Sequence, residues 1–264
     1  MKTVIYYFSG TGNSLAVAKG LAKALDGVVE LLPITGYEEE QCVEIDVDLL
    51  GLVFPVYFFS IPDIVRAFLG KLVFKSDPYI FAVATCNAQP GHSLYSLKRM
   101  LNLKGESLAA GFTIDMPGNA VIGKVDMTNP PEVQQERLIK AKAKLLKIVQ
   151  AITERRSGVI EGCNTLKTKV QNILMNVFLK RLYRPVKRFY AESNCNHCGT
   201  CVKVCPLKNI NLDLGQRPRW GRHCEICLAC FHWCPQQAIN IEKHTIGKKR
   251  LHHPEITIEE MMVR

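Results

Sequence analysis

Thr3–Ser14 reads TVIYYFSGTGNS, a β-branched and aromatic run that ends in a glycine-punctuated, hydroxyl-rich turn. Thr3–Phe8 predicts a buried strand. The next segment, NSLAVAKGLAKAL, sets Leu15, Ala18, Leu21 or Ala22, and Leu25 at helical spacing. Strand, tight loop and helix in so short a stretch open an α/β unit, and the first half of the chain repeats it. VVELLPI, LLGLVFPV, YIFAVAT and SLAAGFTIDM read as four more buried strands, with helices IPDIVRAFLGKL and HSLYSLKRMLNL between the later ones. A closing helix from about Pro131 to Arg156 carries Leu138, Ala141, Leu145, Val149 and Ile152 on one stripe. Continuous apolar runs alternating with helices imply a doubly wound, five-stranded parallel sheet covered on both faces, occupying residues 1–160.

The loop FSGTGNS invites three phosphate-binding readings. A P-loop needs Gly-Lys followed by Ser or Thr, and this loop has no Lys. A dinucleotide fingerprint needs a third glycine where Leu15 stands. What remains is Ser9, Thr11 and Ser14 alternating with Gly10, Gly12 and Asn13. Such a loop can surround a phosphate dianion with backbone N–H groups, hydroxyls and a helix N-terminus. A plain helix-capping turn is the alternative.

Past the first domain the composition shifts. Between Cys163 and Ala191 there are seven basic residues (Lys167, Lys169, Lys180, Arg181, Arg184, Lys187, Arg188) and no Asp or Glu. Leu166, Val170, Ile173, Val177 and Leu182 recur at roughly helical spacing, which predicts a basic amphipathic helix ending before Pro185. Its simplest role is a linker, residues 161–192, packed on the α/β domain. Docking of an acidic redox partner on the 167–188 segment, or adhesion to an anionic membrane surface, are the functional alternatives.

The last part contains a repeat. Cys195, Cys198, Cys201, Cys205 and Pro206 recur as Cys224, Cys227, Cys230, Cys234 and Pro235, each displaced by 29 residues. The same offset takes Ile210 to Ile239 and Asn211 to Asn240, so two equivalent half-modules are expected to face each other. No stretch is apolar for long enough to span a membrane, and the N-terminus lacks a cleavage site of the secretory kind. A cytoplasmic setting follows as an expectation, and there clustered thiols signal metal or redox chemistry rather than disulfides. The spacing C-x2-C-x2-C-x3-C-P is one that wraps an iron–sulfur cubane. Zinc is the competing reading, but zinc takes two separated Cys pairs and needs neither the third Cys nor the closing C-x3-C-P. His197, His223 and His232 lie nearby without being needed as ligands. Cys42, Cys86 and Cys163 have no ligand spacing.

On these residues, 193–243 resembles a bacterial-type two-cluster ferredoxin, and 193–264 is read as that domain with a C-terminal tail. The resemblance implies that the fourth Cys of each run crosses to the other cluster. Cys195, Cys198, Cys201 and Cys234 then hold one 4Fe-4S cluster, and Cys224, Cys227, Cys230 and Cys205 hold the second. The glycine loop resembles the phosphate loop of flavodoxins, which hold FMN on a sheet of order 2-1-3-4-5. FPVYFFSIP and TCNAQPGH follow the third and fourth strands, where flavodoxins place their flavin-contacting loops. The resemblance therefore implies that Ser9, Gly10, Thr11, Gly12, Asn13 and Ser14 bind the phosphate. Pro55, Val56, Tyr57, Phe58, Thr85, Cys86, Asn87 and Gly91 would border the ring. Asn87 and Ala88 depart from the glycine pair that relatives often carry there.

Together the two halves resemble a flavodoxin-fused ferredoxin family, common in anaerobic bacteria and archaea; the ending KKRLHHPEIT also fits it, with His252 and His253 read as surface tail. Its members imply an electron-transfer flavoprotein relaying single electrons between two 4Fe-4S clusters and a non-covalent FMN, and on to redox partner proteins. The alternative is an FMN-dependent reductase with its own small-molecule substrate, such as a quinone. No side-chain acid, base or nucleophile is needed in the relay. The formal charge of +10 would fall to about +4 with two clusters, each about −2 with its thiolates, and one flavin phosphate bound. The basicity thus answers to bound anions, and nucleic acid is not an expected partner. The sequence does not fix oligomeric state.

Overall fold

The computed structural model describes residues 1–37, 40–87, 89–122, 124–162, 166–183 and 189–262, apart from the side chains of 122, 166–169, 180, 182 and 183. Cys163, Arg184, Lys187 and Arg188 therefore lie outside the described residues, as do the side chains of Lys167, Lys169 and Lys180.

The first half alternates β1 (Lys2–Tyr7), α1 (Asn13–Ala24), β2 (Val28–Pro33), β3 (Val43–Ile45), β4 (Leu49–Pro55), α2 (Asp63–Lys71), β5 (Leu72–Phe74), β6 (Tyr79–Cys86), α3 (Ser93–Asn102) and β7 (Leu108–Asp115). A short hairpin follows, β8 (Val121–Ile122) with β9 (Val125–Asp126), then the long α4 (Pro131–Thr153) and β10 (Val159–Ile160). The main sheet runs β10-β7-β6-β4-β1-β2, and every pairing in it is parallel. Its five long strands give the expected order 2-1-3-4-5, a flavodoxin-like doubly wound arrangement. The sheet has six strands rather than the expected five. A two-residue strand, β10, is too short to carry a periodic signal, and it pairs with β7 at Val159–Ala110 and Ile160–Gly111.

Side chains alternate across this sheet. Val4, Tyr6, Leu50, Leu52, Phe54, Ile80 and Ala82 pack against α2 and α3. Ile5, Leu49, Val53, Phe81 and Val83 pack with Val17 and Leu21 of α1 and Ile148 and Ile152 of α4. β4 and β6 are therefore buried on both faces, which is why they read as unbroken apolar runs.

α5 (Leu166–Tyr183) forms where the basic helix was expected, but it sits the other way round. Val170, Ile173 and Val177 are exposed, while Asn172, Asn176 and Leu179 are half-buried. Spacing located the stripe but could not say which side faces the protein.

The second half holds β11 (Phe189–Ala191), α6 (Thr200–Lys203), β12 (Ile210–Leu212), β13 (Pro218–Trp220), α7 (Ala229–His232), β14 (Ile239–Ile241) and α8 (Ile258–Met261). β11 lies in the range read as linker, yet it pairs antiparallel with β14 and so belongs to this module. The sequence repeat is also a repeat of backbone. α6 and α7, and β12 and β14, are 29 residues apart. So are the positive φ angles of His197 and Ile226, of Gly199 and Leu228, and of Lys208 and Gln237.

Candidate functional site

The eight repeated thiols divide into two groups by crossing over. Cys195, Cys198, Cys201 and Cys234 line one small cavity. Cys205, Cys224, Cys227 and Cys230 line another, together with Trp220, His223 and Leu228. Each run thus gives three thiols to one cavity and its fourth to the other. Cys201 and Cys230 stand in the one-turn helices α6 and α7 and are buried, whereas Cys198 is exposed.

The surroundings favour negative sulfur. Asn209 N–H donates to Cys205 Sγ at 3.3 Å, and at the repeat position Ala238 N–H donates to Cys234 Sγ at 3.3 Å. Ile226 N–H donates to Cys224 Sγ at 3.4 Å. Trp220 Nε1–H is buried at the second cavity, where it faces the Cys230 thiol and favours its charged form. Burial pushes the free thiol of Cys201 up to about 11, and that of Cys230 further still. A metal that binds thiolate would overcome this cost. Among the described residues, no three His, Cys, Asp or Glu side chains converge closely enough for a single ion. A cubane, by contrast, spreads its four thiolates over separate corners.

The second thiol group is seated on the glycine loop at the carboxyl ends of β1 and β4, where the sheet order reverses. A Cβ built on Gly10 would lie 2.5 Å from the Cys227 carbonyl oxygen and 2.7 Å from Tyr57 Oη. Trp233 Nε1–H donates to Gly10 O at 3.1 Å. The Glu225 carboxylate accepts the first N–H groups of α2, from Asp63 at 2.8 Å and Ile64 at 3.2 Å. α2 has no side-chain cap of its own, so an acid 162 residues away supplies it. His232 Nε2–H donates to Asn119 O at 2.8 Å, while its Nδ1 accepts from Leu251 N–H at 3.0 Å. That ring is buried, which lowers its pKa to about 4 and keeps it neutral.

The tail closes over the same loop. His253 N–H donates to Thr11 O at 2.8 Å, and His253 and Ile256 pack on Gly12. His253 is buried, in contrast to the surface tail expected from sequence. Burial also lowers its pKa. Ile256 and Met261 join Leu15, Val204 and Trp233 in one apolar cluster.

Most of the residues assigned to a phosphate loop are gathered and buried here. Ser9 Oγ accepts from Gly12 N–H at 3.0 Å. Ser14 Oγ and Thr85 Oγ1 are 2.7 Å apart, and Asn119 Nδ2–H reaches Thr11 Oγ1. A pocket of ≈ 280 Å³ opens beside Thr11 and Asn13, walled by Asn119, Gln134, His252 and Leu138.

The residues assigned to a ring are distributed differently. Pro55 ends β4 opposite Thr85 of β6, and Val56 N–H donates to Thr85 O at 2.8 Å. Tyr57 stands edge-on to Phe8, with centroids 6.1 Å apart. Phe58 packs with Ile226, Leu228 and Cys224 of the second thiol run. Phe58 and Phe59 both have positive φ, 49° and 63°, in a turn closed by Tyr57 and Ser60. Such backbone costs bulky residues about 1–3 kcal/mol each and clusters at functional sites. The Cys86 thiol is buried and donates to Asp115 Oδ1 at 3.4 Å; burial pushes it up to about 12. Asn87 is held by Arg137. Gly91 lies on the carbonyl of Phe59, and His92 N–H donates to that oxygen at 3.0 Å. The side chains of Cys86 and Asn87 are thus committed to β7 and α4, and the Cys86 carbonyl accepts from Met116 N–H at 2.8 Å.

Sequence reasoning missed Glu225, Trp233, Asn119, His253 and Ile256. No motif marks them, although Trp233 is one of only two tryptophans in the chain.

The 4Fe-4S binding domain family matches residues 189–210, which covers the first thiol run and begins at β11. No curated protein matches the chain. Among solved structures, a putative flavoprotein from Bacteroides uniformis is 20% identical, covering 43% of this chain and 90% of its own, with a TM-score of 0.35. An FMN-dependent NADH-azoreductase from Bacillus anthracis is 12% identical over 58% of this chain and 100% of its own, TM-score 0.41. A flavodoxin from Streptococcus pneumoniae is 17% identical over 56% and 99%, TM-score 0.36.

Proposed function

We propose that this union of a flavodoxin-like fold with a 4Fe-4S binding domain is an electron relay. Cys195, Cys198, Cys201 and Cys234 hold one 4Fe-4S cluster, Cys205, Cys224, Cys227 and Cys230 a second, and the Ser9–Ser14 loop the phosphate of a non-covalent FMN. One observation carries the reading: the second thiol group rests on the glycine loop, with the Cys227 carbonyl against Gly10. A cluster exchanges one electron at a time, while FMN holds one or two.

The chain contributes order and environment. Cys198 is the exposed thiol among the eight repeated ones, so partner proteins meet the first group, and the second lies inside between it and the loop. N–H donors on Cys205, Cys224 and Cys234 stabilise charge on sulfur and thereby tune potential. Phe58, Ile226, Leu228 and Phe231 keep water from the junction. For FMN, the phosphate end has a hydroxyl-rich loop at the start of α1 with a pocket beside it.

Anaerobic purification with iron, sulfide, zinc and flavin analysis tests the assignment. About eight irons per chain and one FMN are expected. Four irons or fewer after reconstitution, or stoichiometric zinc, would overturn the two-cluster reading. A chain that takes up iron but no FMN would overturn the role of the loop alone.

The pocket beside Thr11, with polar and apolar walls, favours a second reading, a reductase acting on a small molecule such as a quinone. Saturable oxidation of the reduced chain by a quinone, weakened by Gln134→Leu, supports it. A linear, unsaturable dependence refutes it.

A further inference from the structure

We propose that α5 is an interfacial helix that lies on an anionic phospholipid surface. Its outer side is a run of large apolar side chains: Val170, Ile173, Leu174, Val177 and Phe178 are between 49% and 65% exposed. Their spacing of three, one, three and one places them on a single stripe. The other side seats the helix through Asn172, Asn176 and Leu179, which are half-buried, and Asn176 Nδ2–H donates to Phe58 O at 2.8 Å. A helix that only linked two halves would turn these faces round, since burying the stripe removes far more apolar area from water.

Charge identifies the occupant. The segment around the helix carries seven Lys or Arg and no acid between residues 163 and 191. An apolar stripe within a cation-rich, acid-free segment is the composition of helices that rest in the headgroup region of anionic bilayers. A second copy meeting stripe to stripe would bring seven more cations and no acid. An acidic redox protein would match the charge, but brief electron-transfer encounters are small and do not need five large apolar side chains. No described helix is long and apolar enough to cross a membrane, so α5 lies on the surface rather than spanning it. The inference rests on α5 alone and stands apart from the cofactor assignment.

The test uses the full chain, purified anaerobically, sedimented with vesicles of phosphatidylcholine alone or mixed with phosphatidylglycerol. Binding to the mixed vesicles is expected to be at least about tenfold tighter than to the neutral ones, and weaker at about 0.5 M salt. The double variant Leu174→Asp, Phe178→Asp should lose at least about tenfold in affinity while keeping the wild-type absorption spectrum and melting temperature. Phe178→Trp should give blue-shifted emission on the mixed vesicles only. Wild-type protein that ignores the vesicles, or a double variant that binds as well as wild type, would overturn the proposal. So would lipid-free self-association, or salt-sensitive binding to an acidic iron–sulfur protein without vesicle binding, if the double variant abolishes it.

Discussion

Replacing Gly10 by Ala adds one methyl group at the point where the two halves meet. The new carbon would lie 2.5 Å from the Cys227 carbonyl oxygen, 2.7 Å from Tyr57 Oη and 3.2 Å from Cys227 Cβ. Gly10 is not among the residues with positive φ, so the cost is steric and none of it is backbone strain. The Cys227 oxygen belongs to the main chain and cannot rotate away, so the thiol run must lift from the loop or the loop must sink. Overpacking of this kind costs about 1–3 kcal/mol, or roughly 2–12 °C of melting temperature for a chain of this size. Gly70→Ala is the matched control. Gly70 is in α2 with nothing within 4 Å of its added Cβ and no positive φ. There the same substitution should raise stability by up to about 1 kcal/mol. Anaerobic thermal melts of the cofactor-loaded proteins, followed by circular dichroism and by visible absorption, read both signs. If Gly10→Ala melts at or above wild type, Cys227 is not seated on Gly10, and the internal ordering of the proposed relay fails with it.

Other perturbations probe the remaining joints. Cys205→Ala should leave about four irons, with a residual magnetic spectrum like that of Cys224→Ala and unlike that of Cys198→Ala. The opposite grouping, read by iron analysis and electron paramagnetic resonance, would refute the crossed assignment. Glu225→Ala strips the two N–H groups at the start of α2 of their acceptor and should cost about 1–2 kcal/mol in denaturant unfolding; no change would mean that water replaces the cap. His253 is neutral when folded because burial lowers its pKa. As pH falls through the ordinary histidine value near 6.5, the unfolded chain takes up a proton before the folded chain does, so stability declines. His253→Gln should make the melting temperature fall less steeply between about pH 7.5 and 5.5, and an unchanged slope would contradict the burial argument.

The fold was legible wherever local pattern carried it. β4 and β6 announced themselves because two buried faces leave no charged residue in the run. The 29-residue offset announced two equivalent half-modules, because duplication stamps the same backbone twice, whereas the crossed grouping of the thiols came from the ferredoxin resemblance. β10 was illegible because two residues have no period, and the orientation of α5 because spacing is blind to which side is buried. The contacts that join the halves were hidden for another reason. Glu225 caps a helix 162 positions away and Trp233 reaches a carbonyl 223 positions away, and no local pattern reports such pairs. Cys86 and Asn87 were assigned by loop position, but their side chains answer to Asp115 and Arg137, which loop position does not reveal.

The tail that rests on Thr11 and Gly12 has a consequence for the way the protein is made. Residues 251–256 leave the ribosome about a hundred residues after α4 is complete, roughly 5–20 s later at ordinary rates of synthesis. The first half already has its sheet, both covering layers and the glycine loop by then, but not its roof. Until residues 224–234 emerge, the loop has neither the thiol run nor the tail against it. Any molecule destined for the loop therefore has a period of free entry while the chain is still growing. After the tail arrives, entry and exit require His253 and Ile256 to let go. On the proposed cofactor assignment, the order in which the nascent chain meets its cofactors becomes part of how it is assembled.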